Sequence, residues 1–218
     1  MESQRSLLAV KDLLIDLVFP KTCVSCGKPD ENLCTLCKQS ISYFFGSKLV
    51  PDIDELIFIW RYDNRAVKSL IKSLKYNFIT SLESDLRSLI NQEAYINKLR
   101  DFCSSGCLLP IPLHKKRELW RGFNQSAIIA KIISEMTGLP VRNDLIRRVT
   151  FTEQQAHLGL DERLLNLNGA FKATEVPVST ETAILVDDVV TTGATLSAMA
   201  QELKKKGFLH IKAVVLAA

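Results

Sequence analysis

Two adjacent carboxylates lie between a run of apolar residues and a loop of threonines, in the stretch ILVDDVVTTGAT at residues 184–195. The apolar run at 184–186 predicts a strand that is buried on both faces, as in a parallel sheet. Asp187 and Asp188 then stand at the carboxyl end of that strand, where open α/β sheets bind their ligands. Because carboxylates accept hydrogen bonds and coordinate magnesium, the pair suits the two hydroxyls of a ribose, directly or through a magnesium ion.

The loop after the aspartates suits a phosphate. Thr191, Thr192 and Thr195 offer hydroxyl donors. Gly193, which precedes Ala194, tolerates a positive φ and lets the backbone approach a ligand closely. The loop also opens a predicted helix, whose unpaired N–H groups and dipole favour an anion. The alternative interpretation is an ordinary strand-to-helix turn in which Thr191 or Thr192 caps the helix and the aspartates are solvated.

The pattern as a whole is more specific than its parts. No GxxxxGK[ST] sequence occurs and no GxGxxG follows a predicted strand, which argues against a Walker site and a dinucleotide site. The twelve residues resemble the phosphoribosyl-pyrophosphate (PRPP) site of type I phosphoribosyltransferases. The resemblance implies that Asp187 and Asp188 hold the ribose hydroxyls, with magnesium near, and that residues 191–195 bind the 5-phosphate.

Four of the six cysteines form two CxxC pairs, Cys23 with Cys26 and Cys34 with Cys37, and seven residues separate the pairs. Each CxxC turn presents two sulfurs to one ion, and four thiolates suit tetrahedral zinc. A redox site is the competing interpretation, but it needs one CxxC pair rather than two. The spacing therefore predicts a structural zinc site with all four cysteines as ligands.

The composition describes a globular chain with room for a small second module. The chain has 218 residues, 47% of them hydrophobic, and a net charge of +4, which permits anionic partners without requiring them. No run of 18 apolar residues occurs, so we expect no membrane insertion. Charges also interrupt any signal-peptide apolar region in the first 20 residues. We expect a cytoplasmic location and no structural disulfide.

Hydrophobic periodicity and its breaks predict an α/β fold with a mainly parallel sheet flanked by helices. Strands are predicted at residues 54–62, 107–113, 145–149, 181–187 and 210–218. Helices are predicted around residues 67–74, 82–90 (with a capping box of Thr80 and Glu83), 124–136 and from the threonine loop to Lys206. A further amphipathic helix is predicted before Pro20, and a long loop at 150–168. The predicted units are an N-terminal helix with the cysteine module at 1–45, and a second domain at 46–218.

A second basic segment connects a predicted strand to a predicted helix at residues 110–126. It contains His114, Lys115, Lys116, Arg117 and Arg121, with Trp120 and Phe123 between and after them. Arginine suits bidentate phosphate binding. Basic residues beside aromatic rings also suit a single strand of nucleic acid. The alternative is a solvated basic loop whose aromatic side chains pack in the core.

Three motifs behind the two CxxC pairs extend the resemblance to nearly the whole chain. They are PIPLH…R…RGFNQS, RRVTFTEQQAHLGLDERLLNLNGAF and ILVDDVVTTGAT. Together they are similar to the ComF family, which includes the ComFC competence proteins and the GntX-like proteins. The resemblance implies a zinc module fused to a type I phosphoribosyltransferase-like domain. It also implies a role in natural transformation, in the handling of internalised single-stranded DNA.

The resemblance assigns roles to the basic residues as well. His114, Lys115, Arg117 and Arg121 would contact pyrophosphate or nucleic acid. Residues 147–169 would form the loop that closes over PRPP and excludes water, with Arg148 as a catalytic residue beside the aspartates. The residues of this region that match the family pattern are Arg147, Arg148, Gln154, Gln155, Arg163 and Asn166.

Three functions remain open from the sequence. The first is transfer of the phosphoribosyl group from PRPP to an unknown acceptor, which would need positioning and charge stabilisation but no covalent nucleophile. The second is binding of single-stranded DNA in DNA uptake, with PRPP as a ligand or signal. The third is an adaptor role in which the zinc module docks a partner such as a competence helicase. Whether the chain is an enzyme stays undecided.

Overall fold

The structure, a computed structural model, describes residues 21–76, 82–150, 169–174 and 182–218. In these residues the strands are β1 (Gly46–Ser47), β2 (Glu55–Trp60), β3 (Cys107–Pro110), β4 (Ile146–Arg148), β5 (Phe171–Ala173), β6 (Thr182–Val189) and β7 (His210–Ala217). The helices are α1 (Thr35–Gln39), α2 (Arg65–Tyr76), α3 (Leu82–Ile90), α4 (Glu93–Phe102), α5 (Lys115–Arg121), α6 (Gln125–Thr137) and α7 (Ala194–Lys204).

Five strands form the central sheet, in the order β1-β2-β7-β6-β3. The strand β1 is antiparallel to β2, and every other neighbouring pair is parallel. The strands β4 and β5 pair antiparallel in a separate two-stranded sheet. The prediction of an α/β fold with a mainly parallel sheet is confirmed.

The sheet separates two apolar cores, which explains why the centre of β6 has no polar face. Ile184 and Val186 pack on one side with α2, α3, α4 and α6. Ala183 and Leu185 pack on the other side with α7 and the paired strands β4 and β5. All four side chains are completely buried. The strand therefore ends, as predicted, with its first polar residues at the carboxyl edge of the sheet.

The edge strand β3 is shorter than the predicted strand at 107–113. Proline has no N–H to donate to a ladder, so regular pairing stops at Pro110. One further bond runs from the Ile111 N–H to the Val186 carbonyl at 2.9 Å. The free side of β3 is covered by the chain at Pro140 and Arg142, which both bond to the Leu108 backbone.

Capping residues set the ends of α6. The Asn124 side chain accepts a hydrogen bond from the Ser126 N–H at 3.0 Å and so begins the helix. Gly138, with φ of 78°, donates to the Ser134 carbonyl at 2.7 Å and ends it. Both ends agree with the sequence prediction. Helix α7 ends at Lys204, two residues before the predicted end at Lys206.

Several elements were not predicted, among them α1, β1 and the helix α4 at Glu93–Phe102. Two others differ from the predictions in their structure or their pairing. The basic segment at 110–126 contains the helix α5, because His114 caps it and Gly122, with φ of 78°, ends it. The predicted strand around Ile146 forms β4, but it pairs with the unpredicted β5 instead of joining the central sheet. Both elements are short, and their polar residues hide the periodicity that longer elements show.

The cysteine module shares the core of the helical layer. Leu33 and Cys34 belong to the same buried cluster as Leu82 and Leu86 of α3. An ion pair of 2.7 Å between Lys38 and Asp85 also joins α1 to α3. The boundary between the predicted units 1–45 and 46–218 stays a prediction.

Some predicted features lie outside the described residues. They are the helix before Pro20, the Thr80 cap, nearly all of the predicted loop at 150–168, and the residues Gln154, Gln155, Arg163 and Asn166. Among the helices that the structure describes, none combines the length and the apolar character needed to cross a membrane.

Candidate functional site

The acidic pair at the end of β6 is held by specific contacts. Asp188 is 2% exposed, and its Oδ1 lies 3.0 Å from the Nζ of Lys75 in α2. The Oδ1 of Asp187 accepts hydrogen bonds from the Ser126 hydroxyl at 2.8 Å and from the Asp188 N–H at 2.9 Å. The aspartates are therefore not solvated in the way that an ordinary strand-to-helix turn would leave them.

The two carboxylates perturb each other and their neighbours. Burial, together with the adjacent charge of Asp188, raises the pKa of Asp187 to about 7, although Lys75 and the hydrogen bond from Ser126 act in the opposite direction. Burial lowers the pKa of Lys75, but the attraction of Asp188 and Asp187 outweighs it and the pKa is raised. Lys75 is therefore a charged ammonium in the site at neutral pH.

Magnesium fits this set of donors. The Oδ2 of Asp188 is buried and accepts no hydrogen bond from any residue that the structure describes. A buried carboxylate oxygen without a partner is costly, so a cation or a ligand hydroxyl would satisfy it. Magnesium binds through one or two carboxylates together with the oxygens of a phosphorylated ligand. Asp187 and Asp188 are the residues that would hold it.

Three consecutive residues at the start of α6 tie the site to its surroundings. The Asn124 amide donates to the Ile111 carbonyl at 2.9 Å, which attaches α6 to the chain leaving β3. Gln125 accepts a hydrogen bond from the guanidinium of Arg121. Ser126 donates to Asp187. The NQS sequence of the RGFNQS motif therefore connects the segment after β3, the basic helix and the acidic pair.

The threonine loop has the predicted strand–loop–helix geometry. Gly193, with φ of 82°, is the N-cap residue of α7. The Thr192 hydroxyl accepts from the Ala194 N–H at a long 3.4 Å, so neither Thr191 nor Thr192 provides a strong side-chain cap. The N-terminus of α7 and the hydroxyls of Thr191, Thr192 and Thr195 lie in one turn directly after the acidic pair.

A loop from the N-terminal side packs against the threonine loop. A Cβ added to Gly193 would stand 2.6 Å from a methyl group of Val50, so only glycine fits there. The Lys48 ammonium donates to the Thr191 carbonyl at 2.5 Å. Asp52, on the same loop, accepts a hydrogen bond from the Ser197 hydroxyl in α7 at 2.8 Å. The backbone of the threonine loop is therefore supported from outside.

The residues predicted to contact pyrophosphate or nucleic acid have different environments on the basic helix α5. His114 caps the helix, with its Nδ1 accepting from the Lys116 N–H at 3.3 Å. Lys115 lies on the surface, whereas Arg121 is 5% exposed and is held by Gln125. Trp120 is 62% exposed, which excludes the alternative in which its ring packs in the core.

Arg148 connects the basic helix to the acidic pair. Burial and the positive charge of Arg117 lower the pKa of Arg148, and the negative charge of Asp187 offsets this only in part. The three charged groups therefore act on one another, although 31 and 39 residues separate Arg148 from the other two along the chain. The guanidinium of Arg148 also lies 5.5 Å from the ring centre of Phe171 in β5.

The four cysteine sulfurs converge on one point. Their ligand atoms all lie within 4.8 Å of one another, and the Cys26 and Cys34 sulfurs are 3.6 Å apart. Four thiolates bound at ~2.3 Å to a tetrahedral zinc would be roughly 3.8 Å apart, so the cluster fits this metal. Burial raises the pKa of Cys23, but backbone hydrogen bonds, led by that from Cys34, outweigh it and bring the pKa to about 6.

Two residues of the acidic site do not follow from the sequence pattern. Lys75 lies on a polar side of its helix, and nothing in the spacing of α2 distinguishes it from Lys72. Ser126 lies in the RGFNQS motif, so a signal for it is present in the sequence. Only the structure pairs it with Asp187.

The comparison with known proteins agrees with this arrangement. The family model of the phosphoribosyl transferase domain matches residues 135–218, which contain β6, the acidic pair, the threonine loop and α7. The segment before residue 135, with the cysteine cluster and Lys75, lies outside that match.

Similar proteins cover most of the chain. The DNA utilization protein YhgH of Salmonella typhimurium is 30% identical over 190 residues, which are 85% of this chain and 78% of that protein. Competence protein F of Haemophilus influenzae is 27% identical over 202 residues, 87% of each chain. Competence protein ComFC of Bacillus subtilis is 29% identical over 208 residues, 83% of this chain and 81% of that protein.

Proposed function

This chain belongs to the ComF family of competence and DNA-utilization proteins, and from that premise we propose that it binds PRPP with magnesium and acts on internalised single-stranded DNA. The role in natural transformation rests on the names of the relatives. The ligand rests on the geometry of the site.

One observation supports PRPP as the ligand. The half-buried Asp187 and the buried Asp188 stand at the carboxyl end of a parallel strand, and a glycine-capped helix begins six residues later. The pair supplies acceptors for two vicinal hydroxyls, and the loop supplies hydroxyl and N–H donors for a terminal phosphate. A ribose 5-phosphate unit presents these two features together.

The positive groups around Arg148 suit the rest of the ligand. Arg148 and Arg117 lie in one electrostatic environment with Asp187. A pyrophosphate on C1 of the ribose would bind both guanidinium groups and offset their mutual repulsion. Asp187 and Asp188 would hold magnesium, which would supply positive charge to offset that of the phosphate groups.

Transfer, if the protein catalyses it, breaks the bond between C1 and the pyrophosphate oxygen, and the electron pair leaves with the pyrophosphate. In this chain the arginines would stabilise the departing charge. The carboxylates would hold the ribose through its hydroxyls while C1 gains positive character. A nucleophile on the acceptor would then form the new bond to C1. The acceptor is the part of the reaction that the described residues leave open.

The surface of α5 supports the proposed DNA contact. Lys116 and Trp120 are both exposed on this helix and are four positions apart, so they lie on one face, where a phosphate and a base could be bound side by side. Lys115 is exposed as well. Arg121 is buried, so its proposed role is to orient α6 through Gln125 rather than to contact the strand.

Titration of PRPP with magnesium into the protein, followed by calorimetry, tests the ligand. We expect micromolar binding that the Asp187→Asn, Asp188→Asn double variant abolishes. Lys131→Ala, a change elsewhere on α6, is the matched control and should bind as the wild type does. Absence of binding by the wild type would refute the ligand proposal.

Binding of single-stranded DNA is tested by the fluorescence anisotropy of a labelled oligonucleotide at several salt concentrations. We expect the affinity to fall with salt, and to fall several-fold in Trp120→Ala and Lys116→Ala. Leu119→Ala, an exposed neighbour on the same helix, is the control. Equal affinities of all the variants would place the DNA elsewhere.

The alternative is a metabolic phosphoribosyltransferase with a small-molecule acceptor. Pyrophosphate release in the presence of candidate bases or nucleosides, but not of single-stranded DNA, would favour it. A purely adaptor role, in which the zinc module docks a competence helicase, predicts a different pattern. If the role is purely that of an adaptor, cells that carry the aspartate double variant would take up DNA by transformation normally, and cells that carry Cys34→Ala would not.

A further inference from the structure

The Lys75 side chain reaches the acidic pair from a different layer of the protein. Lys75 lies in the last turn of α2, whose residues Ile71 and Leu74 are buried in the core. Its position is therefore determined by the packing of the helix. The side chain is 22% exposed and that of Asp188 is 3% exposed, so the ion pair of 3.0 Å is largely shielded from solvent. Shielding makes the attraction several times stronger than it would be in water.

The ammonium takes one oxygen of the carboxylate that would hold a divalent ion, and the other oxygen, Oδ2, has no hydrogen-bond partner among the described residues. Lys75 holds the Oδ1 of Asp188, and Ser126 holds the Oδ1 of Asp187. A magnesium ion bound to Asp188 would stand within a few ångströms of the ammonium. Like charges at that separation repel strongly in a partly buried site. A magnesium ion at the other oxygen of Asp188 is therefore destabilised for as long as the ammonium stays in place.

We propose that Lys75 is the built-in counter-ion of the acidic pair and that magnesium enters only by moving the ammonium away from Asp188. This inference rests on the proposed function, because it concerns the same site. Its consequence is an order of binding. Free magnesium competes poorly with the resident ammonium, whereas magnesium that arrives with PRPP brings phosphate oxygens as additional ligands. The displaced ammonium can then bind one of those anionic oxygens.

The test measures the divalent ion without PRPP. Manganese serves as the probe, because the electron paramagnetic resonance signal of the free ion reports how much remains unbound. We expect weak binding by the wild type and at least tenfold tighter binding by Lys75→Met. Lys75→Arg, which keeps the charge, should stay close to the wild type. Lys72→Met, an exposed position on the same helix, is the matched control.

Loss of the lysine leaves a buried carboxylate without its partner, so folding must be checked by circular dichroism. If Lys75→Met does not fold, Lys75→Gln retains a hydrogen-bond donor without the charge and should give the same tightening. A manganese affinity equal to or weaker than that of the wild type in the folded variant would overturn the inference.

The outcome can be separated from that of the ligand proposal. PRPP with magnesium is titrated into the wild type and into the Lys75 variant in parallel. If the wild type binds no PRPP, the ligand proposal fails, while the manganese comparison still decides the role of Lys75. If the wild type binds PRPP and the variant loses only PRPP affinity with unchanged manganese affinity, Lys75 is a ligand contact and the counter-ion role is refuted.

Discussion

The cysteine cluster and the acidic site are assembled in opposite ways. The cluster takes its four sulfurs from residues 23–37, and backbone hydrogen bonds within that segment close its turns, as from Gly27 to Cys23. The acidic site joins Lys75 of α2, Ser126 of α6 and the aspartates of β6, which are far apart in the chain. A local site leaves a spacing motif in the sequence, whereas a distributed site exists only when the sheet has formed.

Removal of the zinc that we propose for the cysteine cluster tests whether the cluster is as local as its spacing suggests. Chelation, or Cys34→Ala, should unfold the cysteine module, because structural zinc contributes roughly 10 kcal/mol or more in small modules. Hydrogen exchange should then rise in residues 23–37 and in α3, which shares their core. We expect β6 to stay protected, because strands pair with it on both sides and its other face packs in the second core. Cys103→Ala, at a buried cysteine outside the cluster, is the control.

If the amides of β6 lost as much protection from hydrogen exchange as those of residues 23–37, the contrast between a local cluster and a distributed site would be contradicted. Such a loss would mean that the cluster supports the acidic site directly, instead of a separate layer of the protein. Metal content measured by elemental analysis on the same samples confirms that the change follows zinc.

Gly193→Ala tests the support of the threonine loop by a distant segment. The new Cβ would lie 2.6 Å from Val50 on a residue with φ of 82°, so we expect a loss of about 3 kcal/mol in the free energy of unfolding. Gly122→Ala is the matched control, since its φ is 78° and it has open space around it. It should lose only about 1 kcal/mol.

The double variant Val50→Ala, Gly193→Ala isolates the contact from the backbone strain. It should recover part of the loss of Gly193→Ala in urea unfolding, because the methyl groups that block the Cβ are gone. Strict additivity of the two changes would argue that the loop at residues 48–52 does not constrain the threonine loop.

Ser126→Ala removes one contact between α6 and β6. The lost hydrogen bond to a carboxylate is worth about 1.5 kcal/mol in the free energy of unfolding, so we expect the fold to be retained. Because Asp187 also loses the group that orients it, PRPP affinity should fall at neutral pH. Calorimetry measures the change. Ser134→Ala, on the same helix but bonded to the Leu139 carbonyl, should leave the affinity unaltered.

The smallest expected effect is on the pH dependence of stability. The pKa of Asp187 is raised to about 7 in the folded protein, so the folded state holds this proton more tightly than the unfolded state does. The stability it contributes is complete below about pH 4 and is lost as the pH rises through 7. Because Asp187 is partly exposed, we expect a loss of only about 1 kcal/mol between pH 5.5 and 8.

Urea unfolding of the wild type and of Asp187→Asn over this range provides the measurement. The variant has no titrating group at this position, so its stability should decline less than that of the wild type. Parallel curves for the two proteins would show that another group is responsible.

Much of the fold follows from the sequence where elements are long and strongly patterned. The apolar centre of β6, the helix α6 between Asn124 and Gly138, and the edge position of the strand that ends at Pro110 all agree with their predictions. Short elements could not be predicted from the sequence in this way. The helix α5 and the strand β5 have too few residues to show a period, and their formation depends on caps and on pairing.

The candidate site also contains residues that the sequence predicts and residues that it does not. Asp187, Asp188 and the residues 191–195 are contiguous, so their types and order alone predict a site for an anion and a ribose. Lys75 could not be predicted in the same way, because three lysines lie on α2 and only packing selects the one that faces Asp188. The buried position of Arg121 was also unpredictable, since arginine is usually exposed and its partner Gln125 lies in the next helix.

By itself the sequence determined the cysteine cluster, the two-sided burial of β6 and the order of carboxylates, loop and helix, because each depends on neighbours within about a dozen residues. The tertiary structure alone decided which lysine neutralises the aspartates, which serine orients them and which loop confines Gly193. Those choices depend on how α2, α6 and the segment at 48–52 pack against the sheet. Contacts between distant segments follow from the shape of the whole core, and no local pattern records them.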